Sequence, residues 1–290
     1  MMNQCESLRL AGKAAALLVF CLFSTVADAG STTYNVRANG DIQTAIDAAS
    51  NGDIIQLAAG TYNITTTIDP AGKQVTIIGT VDGNGDPTSI LDGGNPVGGT
   101  SGVRVLICQN SETSATVFEN LVIQNGYSSS DGGGMYNTSS SPTLTNCTFT
   151  SNSSNTAGGM CNTNSSSPTL TDCTFTSNST TYQGGGMYNS SSSPTLTNCA
   201  FTNNSAISSG NGDGGGMYNQ NSSPALTNCT FAGNSADSGG GMVNALNCSS
   251  TLTNCTFTSN SAGNFGGGMH NEFSSSPTLT NCTFESNSAN

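Results

Sequence analysis

Tryptophan is missing from these 290 residues, histidine occurs once, and lysine plus arginine number only 5 against 17 acids. No cation at all follows Arg104, while acids continue thinly as Glu112, Glu119, Asp131, Asp172, Asp213, Asp237, Glu272 and Glu285. A chain with a net charge of −12 repels nucleic acid, acidic glycans and anionic membranes, so no nucleic-acid partner is expected. The absence of any Cys-x-x-Cys pair removes the usual thiolate metal sites. No segment sustains a 3.6-residue apolar period, which excludes helical repeats. Apolar runs long enough to cross a bilayer are also lacking. The low charge and the bias to Ser, Thr, Asn and Gly would suit disorder, but Phe, Leu, Met and Cys at fixed spacing argue against it.

The first residues are a targeting signal. Arg9 and Lys13 precede the apolar "AAALLVFCLF" and the small-residue "ADAG", which predicts cleavage after Ala29 and export. The apolar run is too short for a transmembrane anchor, and bulky Phe20 before Cys21 is wrong for a lipoprotein. Three regions follow: a signal peptide over 1–29, an N-terminal cap with the first irregular coils over 30–126, and six repeats of about 26 residues over 127–290.

The repeats are legible as columns. Cys147, Cys173, Cys199, Cys229, Cys255 and Cys282 stand 26, 26, 30, 26 and 27 residues apart. A Leu lies three residues before each Cys, from Leu144 to Leu279. Phe149, Phe175, Phe201, Phe231, Phe257 and Phe284 lie two after it. Met135, Met160, Met187, Met217, Met242 and Met269 follow the glycine runs. One Asn column is Asn152, Asn178, Asn204, Asn234, Asn260 and Asn287. A second runs from Asn137 to Asn271, and a third from Asn146 to Asn281 with Asp172 in place of one Asn.

Alternation in "TLT" and "CTFT" reads as half-buried strands, and Met-x-Asn supplies a third short strand per repeat. Such a unit cannot bury its own Leu, Met, Cys and Phe. Stacked on identical neighbours about 4.8 Å away, it pairs every strand and closes a continuous core. This predicts an all-β, single-stranded parallel β-helix with stacked Asn amides. The longer Cys199–Cys229 interval is an insertion, "ISSGNGDGG", at a corner. Residues 40–62 read as a short helix with Asp41 at its N-cap, then a strand and a turn, closing one end of the stack.

The run from Ile42 to Tyr62 resembles the opening of pectin-lyase-like right-handed β-helix proteins. The glycine-to-methionine run with Phe-x-x-Asn, six times each, looks like the GGxM/FxxN repeat of polymorphic outer-membrane proteins. The resemblance implies a right-handed solenoid and the role of an adhesin or autotransporter passenger. Such passengers run for many more coils before a barrel or sorting domain, whereas this sequence stops at "FESNSAN". The expectation is a fragment, continued by further coils or a barrel, or an end covered by something else.

Pectin-lyase-like enzymes are the competing expectation. Lyases of this shape are similar in clustering carboxylates around Ca²⁺ and using an Arg as base, but here only Arg37, Lys73 and Arg104 are on offer, all in the cap. Glycosidases need two carboxylates across a groove, and the repeat acids fall about one per coil in unmatched columns. Asp82, Asp86 and Asp92 are a weak Ca²⁺ candidate, with turn formation the simpler reading. His270 reads as an outward side chain in the column of Tyr136, Tyr188 and Tyr218. The expectation is therefore no catalytic residue and no cofactor. Asn-Cys-Thr sequons are expected at core-facing corners, and Cys161 and Cys248 lie off the main column, too far apart for a disulfide.

The sequence thus points to a non-enzymatic exported scaffold, secreted or held at the cell surface or outer membrane, with an unidentified host or cell-surface ligand. A polysaccharide lyase or glycosidase is one alternative. Ice binding is another, through outward Thr-x-Thr rows: Thr148, Thr150, Thr174, Thr176, Thr256 and Thr258 keep both threonines, and Thr143-Leu144-Thr145 recurs almost without error. Those rows resemble the faces of ice-binding solenoids.

Overall fold

The computed structural model describes residues 30–96, 99–206 and 212–290; the expected signal segment and most of the insertion (207–211) lie outside the described residues. The chain winds as a parallel solenoid whose coils contribute one strand to each of several long sheets. The expected strands are all present. Thr143–Thr145 begins the repeat part of a 10-stranded Leu sheet, Thr148–Thr150 that of a 9-stranded Phe sheet, and Met135–Thr138 that of a 7-stranded Met sheet. A fourth strand, Ser153–Thr156 in the first repeat, extends the coil and builds a 7-stranded Ser sheet. It escaped the sequence reading because its Ser, Thr and Ala residues show little alternation and it shrinks to two residues in three coils, as at Ser205–Ala206.

Register is like on like. Leu144 pairs with Leu170, Phe149 with Phe175, Met135 with Met160 and Asn137 with Asn162. The Phe rings stack face to face down the axis, with centroids 4.6 to 4.8 Å apart and planes within 2 to 4° of parallel. Successive coils thus repeat the same packing at one step. Glycine is required where the chain turns towards the Met strand: a Cβ on Gly186 would lie 2.5 Å from the next coil's Gly216 oxygen and 2.8 Å from Phe201. Gly184, two residues earlier, has φ +71° and starts that turn.

Two Asn columns point inward and are fully buried through the middle coils. Asn178 donates from Nδ2 to Asn204 Oδ1 and to the Phe149 carbonyl, while its own Oδ1 accepts from the N–H and Nδ2 of Asn152. A buried amide in that position has both donors and both acceptor sites used. The third column, Asn146 to Asn281, sits at left-handed corners (φ about 50°) with its side chains outward, correcting the expectation that the Asn-Cys-Thr asparagines face the core. The αL turn puts Cys, not Asn, inside. Asp172 fits this ladder because its Oδ1 accepts from Asn198.

The segment over 30–126 continues the same sheets with aliphatic side chains. Thr33–Val36, Ile54–Leu57, Thr76–Ile78 and Val117–Glu119 precede the repeats in the Leu sheet. The helix Ile42–Ala48 buries Ile42 and Ile46 in the solenoid core. Asp41 caps its start by accepting from the Thr44 N–H, and Lys73 Nζ holds its last turn by donating to the Ile46 and Asp47 carbonyls, each 2.7 Å away. At the other end of the stack Leu279 and Phe284 are 41% and 46% exposed.

All nine cysteines among the described residues are free. In the main column each thiol donates to carbonyls, as Cys173 does to Thr171 O at 3.3 Å and Leu144 O at 3.7 Å. Cys199 and Cys229 are pushed up to about 12, first by the thiol of the preceding coil and then by burial. Cys161 replaces a Tyr in the Met sheet's outer column. Cys248 replaces a Ser at another corner, where it accepts from the Ser222 N–H as Ser166 Oγ does from Ser140. They belong to different columns and do not meet.

Three outcomes follow from this packing. Phe201→Ala opens a cavity between two rings and costs about 3–5 kcal/mol, whereas Phe284→Ala, half-exposed already, costs far less; equal losses in urea melts would contradict translational stacking. Alkylation should leave the buried column thiols, Cys147 to Cys255, of the native chain unmodified at pH 8 and label them fully once it is denatured without reductant, since the thiolate is the reactive form; mass spectrometry showing coil-to-coil disulfides would refute the buried-thiol assignment. Finally, Asp41 and Asp53 are held below the ordinary carboxylate range, by the Thr44 N–H and by the Ser50 and Thr32 N–H groups respectively. Carboxyls lowered on folding stabilise the chain above their unfolded pKa of about 3.9 and lose that contribution as pH falls through the folded value. The cap should therefore lose amide protection before the repeats in acid, because the ladders of the repeats are built of non-titrating Asn. Loss from the repeats first would show that acid acts elsewhere.

Candidate functional site

Most carboxylates of the cap accept from the chain's own donors. Asp82 Oδ1 accepts from the N–H groups of Asn84 and Asp86, closing a turn. Asp92 instead accepts from Gln124 Nε2, Asn125 Nδ2 and the Gly94 N–H. Asp82 and Asp86 thus share one turn, while Asp92 is taken up by a different set of donors. Glu112, which the sequence reading passed over, is a buried carboxylate receiving Gly72 N–H, Asn110 N–H and Ser140 Oγ at 2.7 to 2.8 Å. It ties two cap loops to the first repeat. Among the described residues no group of three His, Cys, Asp or Glu side chains is arranged to hold a metal ion.

Several ionisable residues of the repeats gather on the outer face of the Met sheet, whereas Asp172 and Glu285 stand on other faces. Its middle column runs Tyr136, Cys161, Tyr188, Tyr218, Val243 and His270. Arg104 closes the N-terminal end of this column, with its guanidinium carbon 4.9 Å from the Tyr136 ring centre and its nitrogens donating to the Asp131 and Gly132 carbonyls and Ser128 Oγ. It clamps the turn before the Met strand through Nε and Nη2. Further along, Tyr188 stacks on Tyr218 at 5.6 Å and donates to Gln220 Oε1. His270 lies 3.6 Å from Glu272 and stacks on Phe265, an outward side chain as expected.

Beside this column Thr156, Tyr182, Gln183 and Asp213 line an open groove of about 490 Å³. Asp213 bridges between Gln183 and Ser238 of the adjacent coils. Burial raises its carboxyl above the ordinary range, helped by the charges of Glu272 and Asp237 and opposed by a bond from Ser238 and by His270. Asp213, Asp237, His270 and Glu272 therefore share one neighbourhood that their sequence spacing did not reveal. The one available signal was the alignment of Asp213 with Gln183 and Ser238, obscured by the insertion. Chemically the groove offers one carboxyl that keeps its proton to higher pH, next to an exposed Tyr182.

The Leu and Phe sheets present mostly threonine outward. On the Leu sheet the outer columns are Thr143, Thr169, Thr195, Ala225, Thr251 and Thr278, and Thr145, Thr171, Thr197, Thr227, Thr253 and Thr280. The Phe sheet carries Thr148, Thr174, Ala200, Thr230, Thr256 and Thr283 beside Thr150, Thr176, Thr202, Ala232, Thr258 and Glu285. Register places every expected Thr row in line and outward.

A family model described as the right-handed β-helix region matches residues 95–235 and 182–290. No curated protein matches the sequence. Among solved structures, a mannuronic-acid-specific family 6 polysaccharide lyase from human gut microbiota is 12% identical, with a TM-score of 0.51 over 88% of this chain and 59% of that enzyme. Pectin methylesterase PemA from Erwinia chrysanthemi is also 12% identical, with a TM-score of 0.49 over 83% of this chain and 81% of that one. The pectate lyase Pel9A is 16% identical, with a TM-score of 0.48 over 90% and 79%. At these identities the likeness is one of fold. With its stacked parallel coils and a match spanning most of its repeats, the chain belongs to the right-handed β-helix family.

Proposed function

We propose that this chain is a non-catalytic exported scaffold, of the kind that serves as an adhesin or surface spacer, carrying its ligand contacts on the outer faces of the solenoid. The observation that carries the reading is where the polar chemistry goes. The inward asparagines, most of the cap carboxylates and Arg104 are engaged with the chain's own backbone and side chains. What the Leu and Phe sheets offer outward is a repeated surface, mostly of Thr, on which the same side chains recur coil after coil. A surface of that type suits many weak, equivalent contacts with an extended partner better than a single reacting centre. The charged "n-region" with its apolar run and small-residue cleavage site supports export.

The proteins similar in fold are named for action on pectin and on a mannuronic-acid polysaccharide, and these are the substrates with which to test the reading. Pectin and alginate incubated with the chain, with and without Ca²⁺, should yield no unsaturated product and no released methanol. N-terminal sequencing of the chain recovered from the producing cell's surface or medium should begin at Gly30. Turnover abolished by Asp213→Asn would move the protein to the enzymes, and an intracellular chain retaining Met1 would remove the export half of the reading.

A further inference from the structure

The outer face of the Leu sheet has a regularity that the scaffold reading leaves unused. Like-on-like register sets each Thr of a column beneath the next, on coils whose Phe rings step by 4.6 to 4.8 Å. The column from Thr145 to Thr280 is therefore an unbroken row with about that step, and Ala225 alone interrupts its neighbour. Thr is restricted at χ1 by its branched Cβ, so equivalent hydroxyls repeat in orientation as well as position.

Two hydroxyls at that separation cannot bond to each other, since O–H···O contacts need about 2.7–2.8 Å. One water bonded to both closes the gap: two bonds of about 2.8 Å meeting at a tetrahedral angle span about 4.6 Å. The coil step and the tetrahedral water bridge therefore coincide, and a row of stacked Thr residues orders a row of waters with the local geometry of frozen water. The methyl groups between the hydroxyls leave such waters few other partners. No charged or aromatic side chain stands in either column of the six repeats. That favours a water lattice over a sugar lattice, for which a ring platform would be expected. The Phe sheet is the poorer candidate, because Ala200, Ala232 and Glu285 interrupt its rows.

We propose that the outer face of the Leu sheet binds ice. The proposal extends the scaffold reading by giving one face a ligand, and its test does not depend on where the cell places the chain. The isolated protein, the double variant T171Y/T197Y on this face and the control T181Y on the Ser-sheet side would be partitioned into slowly grown ice and assayed for inhibition of recrystallisation. Wild type and control should enter the ice severalfold more than a non-binding protein of similar charge. The double variant should fall to the non-binding level with an unchanged melting midpoint. A second pair, T171K/T197K, places strongly hydrated charges on the same face and should abolish partitioning equally, covering the case in which tyrosine disturbs folding. Exclusion of the wild type from ice would overturn the proposal, as would double variants that partition like it. Retention on crystalline cellulose without entry into ice would overturn it too, by assigning the face to a polysaccharide lattice.

Discussion

Like-on-like pairing between successive coils, at the single step of 4.6 to 4.8 Å, is the constraint on which everything else in this molecule rests. It makes each core residue its own neighbour and so explains the monotony of the sequence. A Phe beneath a Phe packs because both keep one rotamer, and an Asn beneath an Asn bonds because donor and acceptor repeat at the same interval. Any residue that breaks the translation has to be compensated within its own coil. Cys161 between Tyr136 and Tyr188, and Asp172 beneath Asn146, are tolerated because both stand in outward-facing columns.

The solenoid was legible because its signal is carried by residues that do one job many times. Spacing of Cys, Phe, Met and Asn gave the coil, and Thr-Leu-Thr gave the direction of the side chains. The Ser sheet was not legible, since a two-residue strand such as Ser205–Ala206 pairs through its backbone and leaves no pattern. Nor were the outward asparagines. Asn146 and Asn152 look alike in a repeat, and only the positive φ of Asn146 sends its side chain to solvent.

The candidate site was harder still to read. Glu112 and Asp213 each occur once, so no periodicity marks them. Their surroundings come from other coils, as with Ser140, 28 residues from Glu112, and His270, which acts on Asp213. Single-use residues on a repetitive scaffold are visible only after the coils are stacked.

The buried amide ladders also have a direction. From Asn137 to Asn271 every Nδ2 points to the next coil's Oδ1, so one acceptor at the origin has no donor above it. Asn137 Oδ1 is that atom, the one buried side-chain polar atom among the described residues without a partner, and Cys108 occupies the place of the missing Asn. An unsatisfied buried acceptor costs about 1–3 kcal/mol. That defect arises once, since the first acceptor of the other buried ladder, Asn152 Oδ1, takes the Gly126 N–H, and each interior coil adds a bonded rung. Stability should then rise with coil number after a fixed initial deficit, so whole repeats can be gained or lost by gene duplication and deletion with no new chemistry required. In such an array length is the variable that selection can adjust most freely.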